Sequence, residues 1–208
     1  MANWIVQANP KSYFIVHYYL DDYVKNRKDV QDWWQTKNHH AEVRLGDTVF
    51  IWKAKGEPKY KAAPEYHDSA HYNKLKNLSS GIYAVAVVTK PEKYASTYQV
   101  EPESRNLGRY YAKPEGPEAH EKRMTDPAWR AQIRYEYNLV DTPLFQDKLW
   151  DHCYIDPGRI EDGLEPLWSS MLNRQTSIFP PVGEKEAKIL RTLIYKHAGI
   201  RIPEKLKP

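Results

Sequence analysis

Residues 81–89 read GIYAVAVVT. Apolar side chains fill even and odd positions alike, and no polar face interrupts them. A strand with one face in water alternates; a strand covered on both faces does not. The stretch therefore predicts a central strand, and the rest of the chain must supply a layer on each side of it.

Working outward, Thr48–Lys53 (TVFIWK) predicts a neighbouring strand with Val49 and Ile51 on one face and Phe50 and Trp52 on the other. A Leu45-Gly46-Asp47 turn leads into it. Gln132–Leu139 alternates, with Ile133, Tyr135, Tyr137 and Leu139 turned to the core and Gln132, Arg134, Glu136 and Asn138 to water. Trp4–Gln7 reads as a short strand ended by Asn9-Pro10, and 29–36 as a strand carrying tryptophans at its end. Helical spacing marks part of 11–25 (Phe14, Ile15, Tyr18, Tyr19, Tyr23), Pro143–Trp150 (Leu144, Phe145, Leu149, Trp150) and Glu184–Ala198. In the last of these, Ala187, Leu190 and Ile194, with Ile189 and Leu193, form the apolar stripe. Glu184 and Glu186 suit the N-terminal end of its dipole, and Lys196 and His197 the C-terminal end. Leu167–Leu172 reads as a short apolar helix or turn. Residues 55–80 read as a loop, 91–127 as a proline-interrupted excursion, and 154–165 as turns.

Five or six strands result, without regular crossover helices between them, which excludes a doubly wound sheet. The expected fold is α+β: a small mixed β-barrel flanked by short helices. Residues 1–208 form a single domain, with an insertion over roughly 91–131 and a tail at 199–208.

The 208 residues suffice for a core without disulfide or metal staples. Cys153 is the single cysteine, so no intramolecular disulfide can form. No signal peptide or membrane-length apolar run is present, and a cytoplasmic location is expected. The net charge of +4 permits nucleic acid as a partner without requiring it. Aromatics depart from the ordinary: 7 Trp and 16 Tyr against 4 Phe. Trp and Tyr join an apolar ring to a polar edge and suit surfaces that stack and hydrogen-bond together.

Enzyme signatures are missing. There is no GxGxxG or GxxxxGK[ST] loop and no GxSxG elbow. His152 beside Cys153 is a sequence neighbour and not a demonstrated catalytic base. His67 and His71 have Asp68 as the only close third ligand, which is too few for zinc. Asn38-His39-His40 is too narrow for an HNH nuclease. Asp141, Asp147 and Lys148 lack the strand spacing of a metal-dependent nuclease, and Glu161, Asp162 and Glu165 read as a solvated loop. Neither a cofactor, a metal nor an enzymatic activity is expected.

What remains is residues 32–54, DWWQTKNHHAEVRLGDTVFIWKA. Adjacent strand residues face opposite ways, so only one of Trp33 and Trp34 can enter the core. Gln35, Lys37, Asn38, His39, Arg44, Lys53 and Lys55 surround the other with donors, acceptors and positive charge. An indole face beside such groups suits a flipped-out base: the ring stacks, the edge hydrogen-bonds and cations meet the flanking phosphates. The competing reading buries both tryptophans on either side of a covered strand.

The chain resembles an EVE domain, of the PUA-like superfamily that includes YTH and ASCH domains. Four stretches carry the resemblance in order: NWIVQANPKSY, an opening strand and proline turn; DWWQTKNHHAEVRLGDTVFIWKA, a tryptophan element, Gly-Asp turn and strand; GIYAVAVV, the central strand; and MLNRQTSIFPPVGEKEAKIL, a closing motif and final helix. The resemblance implies a five- to six-stranded PUA-like barrel with an aromatic pocket that reads a modified base, modified cytosine in DNA foremost and modified RNA as the alternative. It implies further that such a reader stands alone or targets a nuclease or ATPase, as a subunit or fused domain of a modification-dependent restriction system. On that pattern Trp34 stacks on the base, Asn38 bonds its edge, and Lys37, Gln35 and Trp52 line the pocket. Lys53, Lys55, Arg44, Arg109 and Arg174 meet phosphates, Gln175 follows Arg174 in the closing motif, and Trp4 and Trp33 are core. Arg105, Arg109 and Lys113, interleaved with Tyr94, Tyr98, Tyr110 and Tyr111, make the insertion either a backbone-gripping arm or a solvated ornament.

Overall fold

The computed structural model describes residues 1–8, 19–36, 41–54, 79–94, 118, 119, 122, 126, 128–145 and 181–208. GIYAVAVVT lies in the strand that organises them. It opens β4 (Gly81–Tyr94), which pairs antiparallel with β3 (Thr48–Lys53) on one side and β5 (Trp129–Asn138) on the other. β3 pairs in parallel with β1 (Asn3–Ala8), β5 pairs antiparallel with β2 (Gln31–Gln35), and β7 (Pro181–Val182) borders β1. The order is β2-β5-β4-β3-β1-β7, with β6 (Leu144–Phe145) pairing β4 off this path. The sheet thus has seven strands instead of five or six, and among the described residues the path is open.

Each face carries its own core. The first gathers Trp4, Val6, Val49, Ile51, Tyr83, Ala86, Ile133 and Tyr135, capped by Tyr19, Leu20 and Val24 of a short π-helical turn, Leu20–Val24. The second gathers Ile5, Phe50, Trp52, Val85 and Val87 under the helix α1 (Glu184–Ala198). The alternation expected for β3 is therefore realised residue by residue.

The helix α1 has the bounds its stripe predicts, with Ala187, Leu190 and Ile194 buried. Gly199, in the left-handed region at φ 71°, ends it, and its N–H reaches the Tyr195 carbonyl. The tail is an ordered end: Ile202 and Leu206 join the second core. Among the described residues no helix is long and apolar enough to cross a membrane.

Four expectations need correction. Tyr137 does not share the face of Ile133 and Tyr135. Val85 pairs with Tyr137 and Ala86 with Tyr135, so Glu136 is an extra residue on β5. That bulge turns Tyr137 and Leu139 to the second core. Second, Leu144 and Phe145 form strand, not helix, because they pair with Ile82 and Gly81. A Cβ on Gly81 would meet the Leu144 carbonyl at 2.6 Å, so only glycine permits this approach. Third, the insertion is shorter at both ends: β4 runs on through Pro91–Tyr94, and β5 begins at Trp129. Fourth, the outer face of β5 is not all solvated, since Gln132 is buried. The helical spacing at 11–18, the loop at 55–78 and the segment 146–180, with Cys153, lie outside the described residues, as do His67 and His71.

One turn ties three strands. Gly46 adopts φ 86°, and its N–H reaches the Val88 carbonyl. The fully buried Asp47 accepts three N–H bonds, from Ala2 N at 2.7 Å, Trp4 Nε1 at 2.8 Å and Arg44 N at 2.8 Å. Its carbonyl accepts Val88 N–H. Asp47→Ala strands these donors, at about 1–3 kcal/mol for each one that stays buried. The expected loss is about 3 kcal/mol or more in urea unfolding; an unchanged midpoint would contradict the role assigned to the turn.

Candidate nucleic-acid interface

β2 supplies the tryptophans. Asp32 and Trp34 stand two apart and share a face, with Trp33 on the other. Pairing sets Asp32 opposite Ile133 and Trp34 opposite Ala131, so this face looks along β5 to Tyr135. Trp34 Nε1 donates to Tyr135 Oη at 3.3 Å, and Tyr135 Oη donates to Asp32 Oδ2 at 3.4 Å. Asp32 Oδ1 accepts Trp33 N–H at 2.7 Å. Tyr19 packs edge-on against Tyr135 at 5.9 Å and stacks on Tyr23 at 5.4 Å. The Arg27 guanidinium lies 4.1 Å above the Tyr23 ring, within cation–π range. A carboxyl group, an indole and three phenols thus form one patch, a set that combines planar stacking faces with an acidic edge.

Burial shapes the electrostatics. Asp32 is half-buried, and desolvation raises its carboxyl from 3.8 to about 7, against the bonds from Trp33 and Tyr135. Tyr135 is raised well above 10.0, by burial first and then by the Asp32 charge. Lys53, buried at the end of β3, is lowered from 10.5 to about 8 by desolvation.

The expected site residues divide. Trp34 is 5% exposed and belongs to the first core, whereas Trp33 is half-buried; the expectation that Trp33 is the core partner is reversed. Trp52 does not join Trp34. It is 3% exposed and sits in the second core, on the opposite face, because it shares the period of Phe50. Trp4 is core, as expected. Gln35 closes β2, half-buried, opposite Arg130. Arg44 is exposed, its Nη1 bonded to the Ala41 and Val43 carbonyls. Lys37, Asn38, Lys55, Arg109, Arg174 and Gln175 lie outside the described residues.

Sequence reasoning missed Asp32 as a site residue and treated Tyr135 as packing only. The spacing Asp32-x-Trp34 carries a signal for a shared face. The diagonal meeting with Tyr135 depends on which strand β2 pairs with, and no local pattern gives that.

No protein-family model and no curated protein sequence matches the chain. Solved structures do. Human THYN1 protein in complex with 5-methylcytosine-containing DNA matches at 12% identity and TM-score 0.51, over 93% of this chain and 97% of that one. The DUF55 domain of human thymocyte nuclear protein 1 matches at 13% identity and TM-score 0.51, over 92% and 98%. At such identities the likeness is one of fold. The fold is PUA-like. Within that class it is the EVE/DUF55 type that the four sequence stretches resemble.

The shift at Asp32 has a consequence for stability. A carboxyl raised in the folded state contributes most below its unfolded value, near 3.8, and the contribution is lost as pH rises to about 7. At 1.36 kcal/mol per unit the full loss is at most about 4 kcal/mol. Asp32→Asn should remove that slope, so the variant gains about 2 kcal/mol on wild type between pH 5 and pH 8 in urea unfolding. A pH-independent difference between the two would count against it.

Proposed function

We propose that this chain is a nucleic-acid reader that recognises a modified base, modified cytosine in DNA foremost, by flipping it into an aromatic pocket. The observation that carries this reading is the fold shared with human THYN1 protein, solved on 5-methylcytosine-containing DNA. The aromatic patch on β2 and β5 supports it from the residues upward, because stacking and edge bonding are what a flipped base requires.

In this reading Trp34 is the floor of the pocket, with Gln35, Lys37 and Asn38 following it, and Asn38 bonds the base edge. Trp52 supports the sheet from the far side. Arg44, exposed beside the Gly-Asp turn, meets phosphate together with Lys55, Arg109 and Arg174. Lys53 adds less, since its burial disfavours the charged amine. The net charge of +4 is too small for strong non-specific binding, so affinity rests on the pocket. The reader performs no chemistry itself; it directs a nuclease or ATPase partner to modified DNA. The open path β2 to β7 curls into the PUA-like barrel.

The test is a fluorescence titration with matched DNA and RNA duplexes, unmodified or carrying 5-methylcytosine, 5-hydroxymethylcytosine or N6-methyladenine. Methylated DNA should bind about tenfold or more tightly than its unmodified match, which one stacked base worth roughly 1–3 kcal/mol can supply. Trp34→Ala should erase the preference, and Trp34→Phe should retain part of it with the fold intact. Equal binding of all ligands would sink the reading, and a preference for modified RNA would redirect it.

A further inference from the structure

The carboxyl group of Asp32 has bonding capacity left over. Oδ1 accepts Trp33 N–H at 2.7 Å, while Oδ2 holds only the long 3.4 Å bond from Tyr135. Among the described residues no cation pairs with it. Lys25 is engaged by Asp21 and Asp141, Arg27 lies over Tyr23, and Arg134 binds Glu136 and the Lys207 carbonyl. The titratable groups turned toward this patch are Tyr135 from β5 and Tyr19 and Tyr23 from the π-helical turn. A half-buried acid without a counter-charge is costly, so its retention in a packed aromatic face calls for a partner that donates to it.

We propose, building on the reader function above, that Asp32 is the specificity-determining residue that distinguishes an amino-bearing cytosine from an oxo-bearing thymine. Both bases can carry the 5-methyl group, and both stack equally on Trp34. They differ at the Watson–Crick edge. Cytosine offers an amino donor beside a ring-nitrogen acceptor; thymine offers an oxo acceptor beside a ring N–H. Asp32 accepts from the cytosine amino group whether ionised or not. When protonated, it also donates to the adjacent ring nitrogen. The Trp33 N–H holds Oδ1 as an acceptor, which leaves the proton on Oδ2 and fixes the donor–acceptor order. Thymine in the same stacked position presents the reverse order. Burial, which keeps the acid near the midpoint of its titration at neutral pH, makes the two-bond form available there.

The experiment compares duplexes carrying 5-methylcytosine or thymine at one position, each opposite an abasic site so that neither loses a pairing partner on flipping. Wild type should prefer 5-methylcytosine by about tenfold, the value of one well-placed bidentate pair. That preference should weaken from pH 6 to pH 8. Asp32→Asn presents the same donor and acceptor permanently, so it should keep the preference and lose the pH dependence. Asp32→Ala should bind the two duplexes alike while still preferring 5-methylcytosine to unmethylated cytosine. If Asp32→Ala keeps the cytosine preference, or if Asp32→Asn loses it with its melting temperature unchanged, the assignment is overturned and the reader function stands. If wild type does not distinguish methylated from unmethylated duplexes, both fall.

Discussion

The buried carboxylate of Asp47 is the constraint on which the sheet depends. A charge in the interior survives only when its oxygens are satisfied, and three N–H groups satisfy these. The donors come from residue 2, from the indole of Trp4 on β1 and from Arg44 ahead of the turn. Thr48 N–H reaches the Ala2 carbonyl, and the Asp47 carbonyl accepts Val88 N–H from β4. One side chain thus sets the parallel register of β1 on β3, and the same turn's backbone sets β3 against β4. With β4 fixed, β5 follows through its long pairing, and β2 through β5. The patch that holds Asp32, Trp34 and Tyr135 is the far end of that chain of dependence.

The two faces of the sheet have different occupants. The second face is closed by α1 and the tail, with Arg191 of the helix donating to Asn3 Oδ1 at 2.7 Å and so joining α1 to β1. The first face carries the aromatic groups and the acid. It is there that polar atoms lie among rings, the combination a planar ligand with a polar edge demands. Packing is thus concentrated on one side, and recognition chemistry on the other.

Much of this was legible in the sequence, and the failures have physical causes. β3, the central strand and α1 emerged from periodicity because each is covered by neighbours on a fixed face. The Gly-Asp turn emerged from its residue types. The register of β5 did not, because a single extra residue at Glu136 reverses every side chain beyond it, and strict alternation in the sequence concealed the bulge. Leu144 and Phe145 mimic helix spacing but are claimed by the open edge at Gly81, a non-local contact. At the site, the importance of residue 34 was readable from composition. That Trp52 lies behind the sheet and Asp32 in front of Tyr135 required knowledge of which strands pair.

The most direct measurement is a two-dimensional amide and indole NMR titration of the chain with a short DNA duplex, methylated at one cytosine or not. The 7 tryptophans give separate indole N–H signals, which substitutions assign one by one. The account predicts that the Trp34 signal shifts with the methylated duplex alone, accompanied by the amides of Asp32 and Tyr135, while Trp4 and Trp52 stay in place. Movement of Trp52 or of the α1 face, with Trp34 silent, would contradict it.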